Sequence, residues 1–258
     1  MARSRGEDAR HASHREEGMI VYIGYDARET EAYRVAEKSL KSVSPSAQVT
    51  RLDAERLAAF GLLRRPTDLR GGIYDLPSNA PASTAFHVSR FLVPHLCQSG
   101  WALFTDSDVV FLRDVAELFK LADSSKAVMV VKHSQSGGGF KMDGQVQAAY
   151  PRKNESSVML VNCDHPANRR LSLQDVNERP GRDLHNFFWL NDVEIGTLPM
   201  EWNWLVTIEP PPVSPSIAHF TMGGPWLPDW QPSEHDEIWT QAAGWPCSDI
   251  RRIAVAAR

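Results

Sequence analysis

This chain is short of cysteine, of long apolar runs and of surplus positive charge, and each shortage removes a class of protein. Its three cysteines, Cys97, Cys163 and Cys247, stand far apart in 258 residues. They form no metal-ligand spacing, and an odd number is a poor disulfide framework. A reducing compartment is expected, and the cytoplasm is the expected location. No apolar run approaches the roughly 18 residues that suggest a membrane span. No integral membrane segment is therefore expected, while peripheral membrane contact stays open. Lys and Arg total 28 against 32 Asp and Glu, for a formal charge of −4. Without a basic surplus, no nucleic-acid partner is expected. Internal repeats are also lacking. Residues 1–18 are rich in Arg, His and Glu and nearly devoid of apolar side chains, so a disordered tail is expected there. No apolar secretory segment follows it.

What remains is ordinary globular composition, 42% hydrophobic and 23% charged. Met19–Gly24 is a compact apolar run that suits a buried first strand. Thr30 to Val43 repeats Ala32, Val35, Ala36 and Leu40 at helical spacing, with Thr30 as a candidate cap and Pro45 beyond the end. Ala47–Leu52 reads as a second strand and Arg64–Asn79 as loop. Ser83–Gln98 reads as an amphipathic helix that Pro94 kinks or breaks. Further strands are expected at Trp101–Thr105, Ala127–Lys132, Ser157–Cys163 and Ile217–Thr221. Helices are expected at Val115–Ala122 and Ala167–Val176. Gly137-Gly138-Gly139 begins a flexible loop, and the Pro-rich Glu209–Pro215 segment is another loop. Strands alternating with helices predict an α/β domain with a largely parallel central sheet.

The strongest chemical signal lies in Leu103-Phe104-Thr105-Asp106-Ser107-Asp108-Val109-Val110-Phe111, which holds the one Asp-x-Asp of the chain. Residues two apart in an extended strand project to the same side. Two carboxylates at a buried strand end are costly without a cation, and open α/β sheets bind ligands at the carboxyl ends of their strands. A divalent metal carrying a diphosphate is the expectation; a solvated turn is the plain alternative. His219, followed by Gly223-Gly224-Pro225-Trp226, is either a core histidine or a third ligand. The glycines permit close backbone approach to a ligand, and Trp226 is placed to wall a pocket. Two carboxylates, an imidazole and diphosphate oxygens suit Mn²⁺, whereas an all-oxygen site suits Mg²⁺. Trp189, Trp202 and Trp204, with Phe187 and Phe188, read first as core and second as a surface for stacking an acceptor sugar.

The ordered set IVYIGYD, SRFLVP, LFTDSDVVFLRDVAELF, NESSVMLVN, LPMEWNW and HFTMGGPW resembles GT-A glycosyltransferases, and glycosyltransferase family 8 in particular. The resemblance covers roughly residues 19 to 226. It implies a single GT-A, Rossmann-like domain over 19–258. It also implies metal-dependent transfer, with retention, from a nucleotide-diphosphate sugar (a UDP-sugar) to a glycan or other hydroxyl acceptor. By resemblance, Asp106, Asp108 and His219 hold the metal. Asp26, Arg90, Asp106, Ser107, Asp108, Gly223 and Gly224 face the donor. Asp183 and Asp192 are the candidate sugar-facing carboxylates.

The departures are specific. The family's Lys between His and Pro-Trp is absent, leaving Lys132 or Lys153 to face a diphosphate. Its Asn-Ser-Gly reads Glu155-Ser156-Ser157, and its Asp-Gln-Asp reads Asp183-Leu184-His185. A haloacid-dehalogenase-type phosphatase is one alternative, with Asp106 as nucleophile and Asp108 as acid/base. That motif normally lies near the chain start, and no later Gly-Asp-x-x-x-Asp completes its metal site. A non-catalytic relative that binds sugar nucleotide or glycan is the other.

Overall fold

A computed structural model describes residues 18–68, 72–133, 139–140, 146–147, 152 and 154–245. Residues 1–17 of the predicted tail, Gly137, Gly138, Lys153 and Cys247 lie outside them.

The centre is a six-stranded sheet in the order Ile195–Leu198, Val128–Val131, Val158–Asn162, Trp101–Thr105, Ile20–Tyr25, Gln48–Asp53. Only Val158–Asn162 runs against its neighbours; the other pairings are parallel. The sheet is therefore mostly parallel, as predicted. Side-chain alternation builds a core on each face. Tyr22, Ala102, Phe104, Val128, Val130, Met159 and Val161 point to one side. Val21, Ile23, Leu103, Met129, Val131, Val158 and Leu160 point to the other. Near-continuous apolar strands are what burial on both faces requires.

The Thr30–Val43 helix has the predicted bounds and buries Ala32, Val35, Ala36 and Leu40. Thr30 is its first residue rather than its cap, and the Thr30 hydroxyl donates to the Ala27 carbonyl. The cap at this corner is Asp26, whose carboxylate accepts from the Arg28 amide and starts a short 3₁₀ turn.

Four further sequence expectations are corrected. Residues 83–98 hold no long helix. A 3₁₀ turn at Ser89–Leu92 leads into a single helical turn at Val93–Leu96. Ser89 through Val93 are all buried in succession, so no polar face exists to make an amphipathic helix. Pro94 sits in the first turn, where its missing N–H costs nothing, and so begins the turn instead of breaking it. Ala167–Val176 splits into a 3₁₀ turn and a helix from Leu173, because Ser172 and Asp175 form a capping box at the break. The segment read as loop over 64–79 contributes Thr67–Asp68 and Ile73–Asp75 to a small antiparallel sheet with Ala80–Ala82.

The fourth correction bears on function. Ile217–His219 is not in the central sheet. It pairs antiparallel with Val109–Phe111 and parallel with Trp204–Leu205, forming a separate three-stranded sheet. Val110, Trp204, Ala218, Phe220 and Trp239 form a third apolar cluster around it. Trp226 packs on Trp239 with ring centroids 4.3 Å apart. Gly224 leaves room for that indole: a Cβ there would lie 2.0 Å from Trp226 Cζ3. Gly223 takes a positive φ of 107°. Trp226 is thus a partly buried packing residue of this cluster.

Gly224→Ala should force Trp226 off Trp239. Overpacking of this kind costs about 1–3 kcal/mol, read as a lower melting temperature. An unchanged melting temperature would show that the contact between Gly224 and the indole does not constrain the fold.

Candidate metal and donor site

The site lies where the central sheet meets the small one. Trp101–Thr105 and Ile20–Tyr25 run parallel, so Asp106 and Asp26 leave their strands on the same edge. Glu155–Ser157 enters the antiparallel strand at that edge, opposite Thr105. The Asp106 amide still donates to the Ser157 carbonyl at 2.9 Å, and the chain then bends through Ser107 and Asp108. The two acids are therefore brought together by a bend, not by strand alternation. Register supplies the third residue. His219 pairs with Val109, and the Phe220 amide donates to the Asp108 carbonyl at 2.8 Å.

One potential ligand atom from each of Asp106, Asp108 and His219 lies within 4.8 Å of the others. Ligands about 2.1 Å from one cation stand about 3–4 Å apart, so small adjustments suffice to close the cluster on an ion. His219 is 1% exposed, and its Nε2 makes no hydrogen bond while lying 3.2 Å from Asp108 Oδ1. A buried imidazole nitrogen within reach of two carboxylates fits a divalent cation. The donor set of two oxygens and one imidazole nitrogen fits it equally well.

Arg90 is buried against this group. Its Nη1 lies 2.8 Å from Asp106 Oδ1 and donates to the Ser156 carbonyl at 3.0 Å. The guanidinium lies 5.1 Å from the Phe104 ring centroid and 5.5 Å from that of Phe86. Arg90 holds Asp106 in place and offsets one of the two negative charges. Ser107, between the acids, is 1% exposed.

Asp26 is 2% exposed and accepts from the Arg28 amide, the Arg28 guanidinium and the Ala85 amide. Burial would raise its carboxyl, but the hydrogen bonds from Arg28 and Ala85 hold it below the usual range. It ties the first strand's end to the Ser83–Ala85 turn. Asp183 lies half-exposed in the Gly181–His185 turn beside Arg182, at 3.5 Å. The Asp192 side chain is 87% exposed and pairs with Arg152 at 2.7 Å. That hydrogen bond from Arg152 lowers its carboxyl. Neither carboxylate belongs to the Asp106–Asp108–His219 group. Lys132 is exposed. Trp189, Trp202 and Trp204 are buried in the apolar cores, which answers the stacking question for all three.

The motif departures at Glu155-Ser156-Ser157 and His185 meet at this edge, and Asn203 joins it without having been a candidate from the sequence. His185 Nδ1 lies 2.6 Å from Ser156 Oγ, so two positions that differ in the family's motifs, or adjoin such a difference, touch each other. Glu155 is buried, and burial pushes its carboxyl above the usual range. Asn203 contacts His219 Nδ1 at 2.9 Å and His133 Nε2 at 3.0 Å. The available signal was an Asn between two apolar indoles: a buried amide must have partners.

No family model matches the chain. Protein CDI of Arabidopsis thaliana is 39% identical to it over 243 residues, 91% of this chain and 90% of that protein. Among solved structures, the galactosyltransferase LgtC, crystallised with donor and acceptor sugar analogues, is 17% identical with a TM-score of 0.56. That match covers 91% of this chain and 100% of LgtC. The glycosyltransferase GlyE of Streptococcus pneumoniae is 16% identical with a TM-score of 0.54, covering 92% of this chain and 63% of GlyE. The bifunctional glycosyltransferase WbbM is 15% identical with a TM-score of 0.59, covering 92% of this chain and 52% of WbbM. The chain thus spans less than two thirds of GlyE and about half of WbbM. These likenesses establish the GT-A type of fold.

Arg90→Leu should leave Asp106 without its buried counter-charge. Removing one partner of such a pair costs about 3–5 kcal/mol. Urea unfolding should show that loss, and added Mn²⁺ should recover part of it. A loss below about 1 kcal/mol, the range of a surface pair, would show that Arg90 does not anchor the site.

Proposed function

The chain belongs to the family of Protein CDI of Arabidopsis thaliana, and we propose that it is a metal-dependent glycosyltransferase that moves a sugar from a nucleotide-diphosphate donor to a hydroxyl acceptor. The observation that carries this reading is the convergence of Asp106, Asp108 and His219 at the mouth of a GT-A-type sheet. LgtC, with which the chain shares its fold over nearly its whole length, was solved with donor and acceptor sugar analogues. We place this chain's donor at the corresponding strand ends.

In this reading Asp106, Asp108 and His219 hold a divalent cation, with Mn²⁺ favoured over Mg²⁺ because one ligand is an imidazole. When bound, the cation neutralises the diphosphate leaving group. Arg90 fixes Asp106, and its charge adds to the positive field where the leaving group collects charge. Asp26 shapes the donor pocket from beneath, through the Ser83–Ala85 turn it holds. Ser107 and the Gly223-Gly224 backbone border the diphosphate. Lys132 or Lys153 supplies the second cation that the family's missing Lys would have provided. Asp183 and Asp192 are the candidates to face the sugar. The donor is a UDP-sugar, the motifs resemble those of glycosyltransferase family 8, and the product keeps the donor's anomeric configuration. The expected setting is cytoplasmic; among the described residues no helix is long and apolar enough to cross a membrane.

Donor hydrolysis and transfer should stop in excess chelator and return with Mn²⁺ better than with Ca²⁺. Asp106→Asn and Asp108→Asn should each cost on the order of 10²–10³ in rate, the scale of losing a preorganised electrostatic contact, while remaining folded. Full turnover in chelator would remove the metal from the account.

Retention has its own test. An α-linked donor should give an α-linked product, read from the anomeric coupling in proton NMR. A β-anomeric coupling would overturn the retaining assignment and call for a general base on the opposite face.

A further inference from the structure

Asn203 is fully buried, and its surroundings determine which way its amide points. Its Nδ2 lies 3.2 Å from the main-chain carbonyl oxygen of Asn154. A carbonyl oxygen can only accept, so the group facing it must be the NH₂. Ser157 Oγ, 3.0 Å from the same Nδ2, already donates its own proton to the Asn154 carbonyl and so accepts from Asn203. The opposite end of the amide is then the carbonyl Oδ1, which lies 2.9 Å from His219 Nδ1. That nitrogen must carry the imidazole proton. In the neutral ring the lone pair is left on Nε2, the atom that faces the carboxylates.

The same logic runs one layer outward. The Asn203 NH₂ has two protons for three acceptors: one is shared between Ser157 Oγ and the Asn154 carbonyl, and the other faces His133 Nε2 at 3.0 Å, so that nitrogen accepts. The His133 proton sits on Nδ1 and is donated to Glu209 Oε1 at 3.0 Å. Burial pushes the His133 imidazole below its ordinary range despite Glu209, in keeping with a neutral ring. Glu209 reaches this position through a strained turn. Thr207 has a φ of 67°, in the left-handed region that a β-branched residue rarely adopts. The Trp204 indole N–H closes the turn onto the Glu209 carbonyl at 3.0 Å. Strain of this kind persists only where the surroundings over-determine it.

We infer that Asn203, backed by His133 and Glu209, is a positioning residue that holds His219 in its Nδ1–H tautomer and so presents the Nε2 lone pair to the Asp106–Asp108 pair. The metal-binding consequence rests on the function proposed above; the tautomer does not. Partners of this kind, behind a ligating histidine, are typically worth about 10–100-fold in metal affinity.

Two measurements separate the parts. In the metal-free protein, ¹⁵N-resolved imidazole NMR, at a pH where the rings are neutral, should show the one proton of His219 on Nδ1, and that of His133 likewise. Protonation of His219 at Nε2 alone would overturn the inference, whatever the protein binds. Mn²⁺ titration followed by electron paramagnetic resonance should show affinity reduced about tenfold or more in Asn203→Leu. It should be reduced several-fold in Glu209→Leu and restored in Glu209→Gln, whose amide oxygen still accepts from His133. Because Asn203→Leu alters a fully buried position, the Glu209 pair and the wild-type tautomer keep the test decisive if that variant does not fold. Wild-type affinity in a folded Glu209→Leu would overturn the outer layer. A correct tautomer in a protein that binds no Mn²⁺ would uphold the positioning role and instead refute the metal-site reading.

Discussion

Two carboxylates forced together at a buried strand end are the constraint around which this molecule is arranged. Like charges at close range repel strongly where water is scarce, and a fold that keeps them there must supply compensation. Arg90 supplies part of it from beneath the central sheet. His219 brings its Nε2 to within 3.2 Å of Asp108 Oδ1, and with Nδ1 facing Asn203 Oδ1 the neutral ring keeps its lone pair on Nε2. A bare acceptor beside two acids adds electron density to a site that already has it. That arrangement is favourable once a divalent cation occupies the centre.

The architecture follows from that requirement. The central sheet delivers Asp106 and anchors it through the Ser157 pairing. The small sheet delivers His219, because its antiparallel register with Val109–Phe111 sets the imidazole beside Asp108. The two sheets meet at the short stretch from Asp106 to Val109, so the bend at Ser107 is both the structural junction and the chemical centre. The third apolar cluster, with Trp204, Phe220, Trp226 and Trp239, holds the small sheet in place. The aromatic residues stabilise; the polar residues between them do the positioning.

Much of this was legible in the sequence, for physical reasons that differ by element. The central strands announced themselves as apolar runs because burial on both faces leaves no polar alternation. The Thr30–Val43 helix showed a clean helical period because one face meets the core and the other solvent. Residues 83–98 misled because the stretch from Ser89 to Val93, buried in succession, has no period to read. The edge strand Ile195–Leu198 was missed because four residues carry too little pattern. Asp106 and Asp108 were legible because both ligands lie in one local motif. His219 was raised by its Gly-Gly-Pro-Trp flank and left open between core and ligand, and Arg90 entered through the family resemblance, since single residues far apart in sequence carry no spacing signal. Asn203, His133 and Glu209 were illegible for the same reason: their contacts join segments brought together only by the small sheet.

The account's central claim is that one divalent cation sits between Asp106, Asp108 and His219. Crystals grown with Mn²⁺ and a nucleoside diphosphate, measured at a wavelength where manganese scatters anomalously, test it most directly. The account predicts a single strong anomalous peak within coordination distance of the two carboxylates and His219 Nε2, with diphosphate oxygens completing the shell. A diphosphate bound with no peak at that position, or a peak that leaves His219 uncoordinated, would contradict it.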